Sequence, residues 1–452
     1  MNLHLPKDTI CAIATATGGA IGVVRVSGPK TLKAVSHVCT RITATTPART
    51  AVLTPVVSAN GETIDDAIVT FYPAPHSYTG EDCAEISCHG SRYILSKVLE
   101  ALLDNGCRMA QPGEFTQCAF LNGKMDLSQA EAVADLIAAN SAASHHIALS
   151  QLRGHFSSEL NHLRDQLLKL TSLLELELDF ADHEELEFAN RSQLQQLAQQ
   201  IKAKINALIK SFEQGQALKS GIPVAIVGKT NVGKSTLLNR LVKDERAIVS
   251  DIHGTTRDTI EDTIQLQGIQ FRFIDTAGIR QTKDQVEQIG IKRSFDAIEK
   301  ARIVLWVIDA PPTLEEVDEM HKRCTDKPLI IIQNKIDIEP SAITVRDTHV
   351  VQVSAKNNQH INALEDAIVS ALDIPDISTT DVIVTSARHY ESLISAHNSL
   401  SHVIDGISTE MPTELIAEDL RLALSALGEI TGDTITPQET LNNIFSHFCI
   451  GK

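Results

Sequence analysis

Short apolar runs separated by turn residues characterise the first part of the chain. Three of them, at 21–26, 67–72 and 84–90, contain valine, isoleucine, threonine and aromatic residues in the lengths that strands have. Each run is bounded by glycine, proline, serine or aspartate. We therefore predict a compact α/β domain over residues 1–122.

A different spacing begins after this segment. From residue 123 to 218 the chain is rich in Ala, Leu, Gln, Glu and Lys, and apolar residues recur at helical intervals, as at Leu194, Leu197, Ile201, Ile205 and Ile209. Helical spacing returns over 378–452, where Pro412 suits the first turn of a helix. The order predicts one helical domain in two parts. The acidic run at 174–185 is interpreted as a solvated helix face, and not as a metal site.

Strand and helix patterns alternate over residues 219–377, between the two helical parts. The run 303–308 is wholly apolar and predicts a buried strand. Such alternation is typical of a doubly wound α/β domain with a parallel sheet. We thus expect this domain to be inserted into the helical one.

The octapeptide at 228–235, GKTNVGKS, satisfies the phosphate-loop pattern. It follows the apolar run 224–227 and precedes a helical pattern, which is the context that the loop requires. Its glycines let backbone N–H groups point inward at phosphate oxygens, and the helix N-terminus adds positive charge. Lys234 is expected to reach the β- and γ-phosphates, and the Ser235 hydroxyl to bind Mg²⁺.

A second motif, NKID at 334–337, identifies the base. The Asp337 carboxylate can accept two hydrogen bonds from the adjacent N–H donors of guanine, which adenine lacks. A carboxylate left unpaired against the wrong base costs about 1–3 kcal/mol. The segment VSAK at 353–356 follows another apolar stretch, where a backbone N–H could meet the guanine oxygen. The ligand is therefore predicted to be GTP.

The sequence DTAG at 275–278 resembles the third motif of small GTPases. Asp275 is expected to hold Mg²⁺ through water, and Gly278 to approach the γ-phosphate. The next residue is Ile279, whereas Ras-like enzymes carry a water-positioning glutamine at that position. Hydrolysis must then be assisted by another group, such as an extra cation or a displaced acid.

The polar segment 250–258 is a candidate switch loop, in which Thr256 would complete the Mg²⁺ shell when GTP is bound. A solvated loop rich in threonine and aspartate is the alternative. Arg257 is interpreted as an exposed partner of carboxylates, and not as an arginine finger. The predicted GTP site comprises Gly228, Asn231, Val232, Gly233, Lys234, Ser235, Thr236, Ser250, Asp251, Ile252, His253, Gly254, Thr255, Thr256, Asp275, Thr276, Ala277, Gly278, Asn334, Lys335, Ile336, Asp337, Ser354, Ala355 and Lys356.

Net charge and cysteine content further restrict the class of protein that the sequence can encode. The 452 residues carry a net charge of −17, which argues against a generally basic nucleic-acid coat, so that any RNA contact must be local. Lysines at 202, 204 and 210 could form a small basic face, although a solvated helix surface is the simpler interpretation. The eight cysteines show no paired zinc spacing. With no signal-peptide pattern and no apolar run of roughly 20 residues, we expect a cytoplasmic protein with reduced thiols.

Several further segments, together with the GTPase motifs, carry a resemblance that extends over essentially the whole chain. They are SYTGED at 77–82, RMAQPGEFTQCAFLNGK at 108–124, GTTRD at 254–258 and the terminal FCIGK at 448–452. With them the chain resembles the MnmE (TrmE) family of tRNA wobble-uridine modification GTPases. The implied fold is a folate-binding and dimerising N-terminal α/β domain, a discontinuous helical domain and an inserted Ras-like G domain.

The resemblance also implies ligands. A 5-formyltetrahydrofolate site, or one for a related folate, maps onto Arg25, Glu85, Lys124 and Lys452. A K⁺ ion in place of an arginine finger maps onto Asn231, Ser250, Ile252 and Thr255. Glu287 maps to the residue that orients the attacking water, and Cys449 to a cysteine associated with the modification reaction. An inert packed cysteine and a prenylation site are the alternatives for Cys449.

The function implied by the family is K⁺-stimulated GTP hydrolysis by a homodimer. With a FAD-dependent GidA (MnmG) partner, in a heterotetramer or larger complex, the protein would place an aminomethyl-type group on C5 of the wobble uridine of certain tRNAs. Folate would supply the carbon. The rival interpretation is a ribosome-assembly GTPase that recognises RNA without covalent chemistry.

Overall fold

A computed structural model describes most of the chain. The residues it describes are 8–179, 191–243, 262–274, 295–339, 341–345, 348, 350–372, 382–433, 438–446 and 448–451. They form two compact units. The first unit comprises Met1–Ile137, Gln151–Ile205 and Glu391–Lys452, and the second comprises Ala138–Ser150 and Asn206–Tyr390.

A six-stranded sheet organises the first unit. Its strands are β1 (Ile10–Ile13), β2 (Ile21–Ser27), β3 (Ala51–Val57), β4 (Thr63–Tyr72), β5 (Cys83–His89) and β6 (Arg108–Met109). The order is β3-β4-β5-β2-β1-β6, and only the β1–β6 pair is parallel. Helices α1 (Thr31–Val38), α2 (Arg92–Asp104) and α3 (Glu114–Leu121) complete it. The three predicted strands are confirmed as parts of β2, β4 and β5.

The alternation of side chains along these strands positions a site. Val24, Val26 and Ile86 are fully buried in the core that α1 and α2 cover. Successive residues of a strand point to opposite faces, so Arg25 and Glu85 lie on the other face. One face of the sheet thus packs into the hydrophobic core, and the opposite face carries these two polar residues.

Helices make up the rest of the first unit. They are α4 (Leu127–Ala138), α6 (His155–Asp179), the first half of α7 (Arg191–Ser220), most of α11 (Ala387–Ser408), α12 (Thr413–Thr431) and α13 (Gln438–Ser446). Helices α6 and α12 pack together and are joined at their edges by the ion pairs Arg164–Asp433 and Arg421–Glu175. Glu175, from the acidic run, is thus paired at a solvated edge, and residues 180–185 of that run lie outside the described residues.

The second unit is a doubly wound α/β domain, as predicted. Strands β7 (Ile222–Val227), β8 (Asp262–Leu266), β9 (Ile269–Phe273), β10 (Ile303–Ile308), β11 (Leu329–Gln333) and β12 (Val350–Gln352) form its sheet. The order is β12-β11-β10-β7-β9-β8, and only β8 is antiparallel to its neighbour. Helices α5 (Ala142–Leu152), α8 (Lys234–Lys243), α9 (Leu314–Arg323) and α10 (Ile361–Ser370) accompany the sheet.

The sheet order explains where a ligand can bind. Strand β10 lies between β7 and β11, and all three are parallel, so the loops at their carboxyl ends meet at one edge. In doubly wound sheets this edge forms the ligand crevice. All six residues of β10 are buried, which confirms the predicted strand at 303–308.

None of the helices in the described ranges is long and apolar enough to cross a membrane.

Candidate functional site

The loop between β7 and α8 has the backbone of a phosphate cradle. Gly228 has φ of 146° and Gly233 has φ of 97°, conformations that side-chain-bearing residues rarely adopt. A Cβ on Gly228 would lie 2.2 Å from Val307 O, and one on Gly233 would lie 2.2 Å from Asn334 Nδ2. Both positions thus require glycine for conformation and for space.

Lys234 is the half-buried cation of this loop, in which Lys229 is exposed. Its Nζ donates hydrogen bonds to Gly228 O and Lys229 O, both at 2.6 Å. Burial lowers the pKa of Lys234, because the charged ammonium loses solvation there. An anion in the cradle would compensate for this loss. Ser235 and Thr236 follow in the first turn of α8.

Asn334 connects three segments of the site. Its side chain is buried, and its Nδ2 donates to Val232 O at 2.8 Å. Its Oδ1 accepts from the backbone N–H of Ala355 at 3.1 Å. One side chain therefore holds the phosphate loop, the 334–337 loop and the 354–356 loop in register. The motif alone did not reveal this connecting role.

The carboxylate that is predicted to read the base is oriented by its neighbour. Asp337 Oδ1 accepts a hydrogen bond from Ser354 Oγ at 2.6 Å, and Ser354 is fully buried. Ser354 Oγ also accepts from the backbone N–H of Asn357 at 3.3 Å. The backbone carbonyl of Lys356 accepts a hydrogen bond from Arg240 Nη2 at 3.5 Å. The structure thus brings the predicted base-reading residues together at the end of β11.

Not all of the predicted GTP site lies in the described part of the chain. Asn231 does, with φ of 65° and an exposed side chain. Ile336 also does, and its backbone N–H donates to Val353 O at 3.4 Å. The remaining predicted residues of the GTP, Mg²⁺ and K⁺ sites, and the candidate acid, lie outside the described residues: Ser250, Asp251, Ile252, His253, Gly254, Thr255, Thr256, Asp275, Thr276, Ala277, Gly278 and Glu287.

A second polar site lies on the sheet of the first unit. Arg25 of β2 and Glu85 of β5 are direct cross-strand partners. Arg25 Nη2 and Nε donate to Glu85 Oε1 at 2.8 and 3.1 Å, and Arg25 Nη1 donates to Gly451 O at 3.3 Å. The guanidinium also lies 5.4 Å from the ring centroid of Tyr78 and 5.8 Å from that of Phe115. The guanidinium of Arg25 thus contacts a backbone carbonyl 426 positions further along the chain.

The loop 74–82 frames this site. Lys124 Nζ donates to Pro75 O at 3.0 Å, and Asn122 Nδ2 donates to Thr79 O at 2.8 Å. Thr79 Oγ1 lies 2.7 Å from Ser27 Oγ, inside the protein. Of the residues predicted to bind folate, Lys124 is thus linked to this loop and Arg25 lies against its Tyr78, whereas Lys452 lies outside the described residues.

The same network holds a half-buried acid. Ser27 Oγ donates to Glu81 Oε2 at 3.1 Å. Burial raises the pKa of Glu81, and the negative charges of Glu114 and Asp82 raise it further, while the hydrogen bond from Ser27 opposes the shift. Ser27 is two residues after Arg25 and lies on the same face of β2. Sequence reasoning missed Glu81, which only its position in the SYTGED segment could have suggested.

Cys449 differs from the other cysteines. It is exposed, whereas the other seven are buried, and burial raises the pKa of Cys83 and of Cys118 to about 12. Its carbonyl accepts from Gly113 N–H at 3.5 Å. The packed-cysteine alternative for Cys449 is therefore wrong. The accessible thiol is the one that the resemblance associated with the reaction.

The parallel sheet, the glycine-constrained 228–235 loop and the predicted base-reading loop are those of a P-loop GTPase domain. Family models agree: the one described as the MnmE helical domain matches residues 127–449, and the one described as the GTP-binding protein TrmE N-terminus matches residues 9–124. The chain belongs to the MnmE family of tRNA modification GTPases, and it is a GTPase.

Relatives named tRNA modification GTPase MnmE align over nearly their full length. The one from Phocaeicola vulgatus is 49% identical, with 99% of each chain covered. The one from Parabacteroides distasonis is 50% identical, with 98% of this chain and 100% of the relative covered. The solved G domain of the T. maritima FeoB iron transporter covers 33% of this chain and 98% of its own, at 19% identity and a TM-score of 0.25. That likeness is too weak to bear on function.

Proposed function

We propose that GTP hydrolysis by this protein is stimulated by K⁺ and drives folate-dependent modification of C5 of the wobble uridine, position 34, in certain tRNAs. The product is an aminomethyl or carboxymethylaminomethyl group. The support comes from two sites in one chain, the phosphate cradle of the second unit and the polar site around Arg25 in the first. The relatives' names, which specify tRNA modification, agree with this substrate class.

The contact of Arg25 with both Glu85 and Gly451 carries the proposal. It places a guanidinium and a carboxylate side by side, with the aromatic rings of Tyr78 and Phe115 close by. A tetrahydrofolate fits this chemistry, because its pterin edge both donates and accepts hydrogen bonds and its glutamyl tail is anionic. Lys124 and Lys452 are proposed to bind the same ligand.

The GTP site also suits metal ions. Ser235 and Thr256 would bind Mg²⁺, and Asn231 with Ser250, Ile252 and Thr255 would bind K⁺. Bound there, these ions would neutralise negative charge on the phosphates during hydrolysis. The chain's own contribution is a cradle of backbone N–H groups and the Lys234 ammonium, which hold the phosphates in place.

Glu287 is proposed to orient the attacking water, since Ile279 occupies the position at which Ras-like enzymes carry a glutamine. Cys449 is proposed to contribute its thiol to the modification reaction. Its exposure at the end of the described chain allows a substrate to reach it.

The proposal includes an assembly. The working form is a cytoplasmic homodimer that joins a FAD-dependent GidA-type protein and tRNA in a heterotetramer or larger complex. FAD belongs to the partner. Residues 1–122 would bind folate and dimerise, while the G domain over 219–377 would convert GTP hydrolysis into movement of the helical parts at 123–218 and 378–452.

Calorimetric titration with 5-formyltetrahydrofolate tests the folate site. We expect binding by the wild type, a loss of at least tenfold in affinity for Arg25→Gln, and no change for Arg92→Gln, which alters an exposed arginine of the same unit. Absence of binding by folded wild-type protein would remove the folate step.

Ion replacement tests the hydrolysis mechanism. The GTPase rate should fall when Na⁺ replaces K⁺ at constant ionic strength, because Na⁺ is smaller and fits oxygen ligands at shorter distances. An equal rate in both salts would exclude K⁺ stimulation.

Analysis of wobble uridines in tRNA from cells lacking the protein separates the modification function from an RNA-binding switch in ribosome assembly. For such a switch this nucleoside would be unaltered.

A further inference from the structure

The carboxyl end of β10 contacts both the 228–235 loop and the 334–337 loop of the predicted nucleotide site. Its residue Val307 provides the carbonyl that a Cβ on Gly228 would strike. Its residue Ile308 accepts a hydrogen bond from the backbone N–H of Asn334 at 2.8 Å. Asp309 comes next in the chain, at the same edge of the sheet. It belongs to none of the nucleotide motifs identified in the sequence.

Asp309 anchors the lysine of the base-reading loop. Lys335 Nζ lies 2.7 Å from Asp309 Oδ2, and the two side chains are 36% and 34% exposed. The backbone of Lys335 has φ of 66°, in the left-handed region. This lysine is therefore fixed at both ends, by its backbone conformation and by the ion pair of its ammonium. Asp337 is two residues further along.

An anchored lysine behaves differently from a free one when a ligand arrives. A free lysine side chain has many rotamers, and ordering it beside a bound base opposes binding. A lysine already held in one rotamer avoids most of that loss. Because both partners are only about one-third exposed, water screens their attraction less than at an open surface.

We propose that Asp309 is a positioning residue for guanine-nucleotide binding, which acts by holding Lys335 in order beside Asp337. This inference rests on the proposed assignment of the 334–337 loop to the guanine base. Asp309 itself need not touch the nucleotide. Its effect should appear in the retention of nucleotide, and it should depend on the presence of Lys335.

A double-mutant cycle tests this dependence in the full-length protein. The variants are Asp309→Asn, Lys335→Met and the two combined, with Asp318→Asn as a control that alters an exposed carboxylate on α9. Release of a fluorescent GDP analogue is measured by stopped flow, together with kcat and KM for GTP. The isosteric change at 309 removes the charge and keeps the side-chain volume.

We expect Asp309→Asn to accelerate GDP release and raise the KM for GTP by about threefold to tenfold, with kcat and the melting temperature unchanged. In the Lys335→Met background the same substitution should add nothing. Equal effects in both backgrounds would show that Asp309 acts by another route. No effect in the wild-type background would show that the ion pair does not order the site.

The cycle also separates this inference from its premise. Asp337→Asn should weaken GDP binding if the loop reads guanine. If Asp337→Asn leaves GDP binding unchanged, the 334–337 loop does not bind guanine, and the proposed role of Asp309 is then wrong as well. If Asp337→Asn weakens binding and Asp309→Asn does not, only the positioning role is wrong.

Discussion

Substitution of Asn334 by alanine should disconnect the three loops of the nucleotide site. Asn334 donates to Val232 O and accepts from Ala355 N–H, and it is only 5% exposed. Removing its amide leaves one buried acceptor and one buried donor without that partner. Each such group costs about 1–3 kcal/mol, and the pair therefore costs about 2–6 kcal/mol.

That cost can be compared with nucleotide affinity. In the absence of nucleotide the loops of the variant can relax, so binding must restore the native arrangement and bear most of the cost. At about 1.4 kcal/mol per tenfold, the affinity for GDP should fall by about 30-fold to 20,000-fold. Isothermal titration calorimetry with Mg²⁺–GDP measures this fall directly.

A neighbouring asparagine gives the control. Asn357 is exposed, and it contacts Ser354 through its backbone N–H, which Asn357→Ala retains. This variant should bind GDP as the wild type does. If Asn334→Ala stays within threefold of the wild type while circular dichroism shows an intact fold, the loops do not depend on this side chain, and the reasoning fails.

Three further changes test other parts of the structure. Gly228→Ala should abolish GDP binding in a filter assay, because its Cβ would meet Val307 O, and a bound nucleotide at normal affinity would contradict the clash. Burial opposes ionisation of Asp65, but the hydrogen bonds from the backbone and ring of His89 outweigh it and lower the pKa of Asp65. Its stabilising effect is present above the unfolded pKa and is lost as pH falls through the folded one, so Asp65→Asn should lower the melting temperature at pH 7 and not at strongly acidic pH. Burial raises the pKa of Glu81, so its ionisation opposes folding as pH rises, and Glu81→Gln should raise the melting temperature more at pH 8 than at pH 4, whereas a constant difference would count against the shift.

The phosphate loop and base-reading motif were predictable because their chemistry is encoded in a few consecutive residues. The spacing of Gly228 and Gly233 indicates the left-handed backbone of the loop, and a hydrophobic run before the loop indicates the strand that supports it. The predicted buried strand at 303–308 likewise depends only on local composition. Local patterns of this kind also gave the fold class of both units.

Contacts between distant segments could not be predicted in the same way. Arg25 and Glu85 read as ordinary strand residues, because their pairing depends on β2 lying beside β5, 60 residues away. Strand β3 was missed because Pro55 interrupts its pattern, and its place at the edge of the sheet explains why the proline is tolerated. The ion pair of Asp309 with Lys335 joins the ends of two neighbouring strands and has no signature in either segment.

The hydrogen bond from Arg25 to the carbonyl of Gly451 sets an order of events during protein synthesis. Glu85, the early partner, emerges from the ribosome 60 residues after Arg25, whereas Gly451 follows 426 residues after it. At about 5–20 residues per second that delay is roughly 20 to 85 s. A nascent chain can therefore complete its first sheet long before Arg25 gains its second partner, and a prematurely terminated product would retain the sheet but lack the carbonyl of Gly451 beside Arg25.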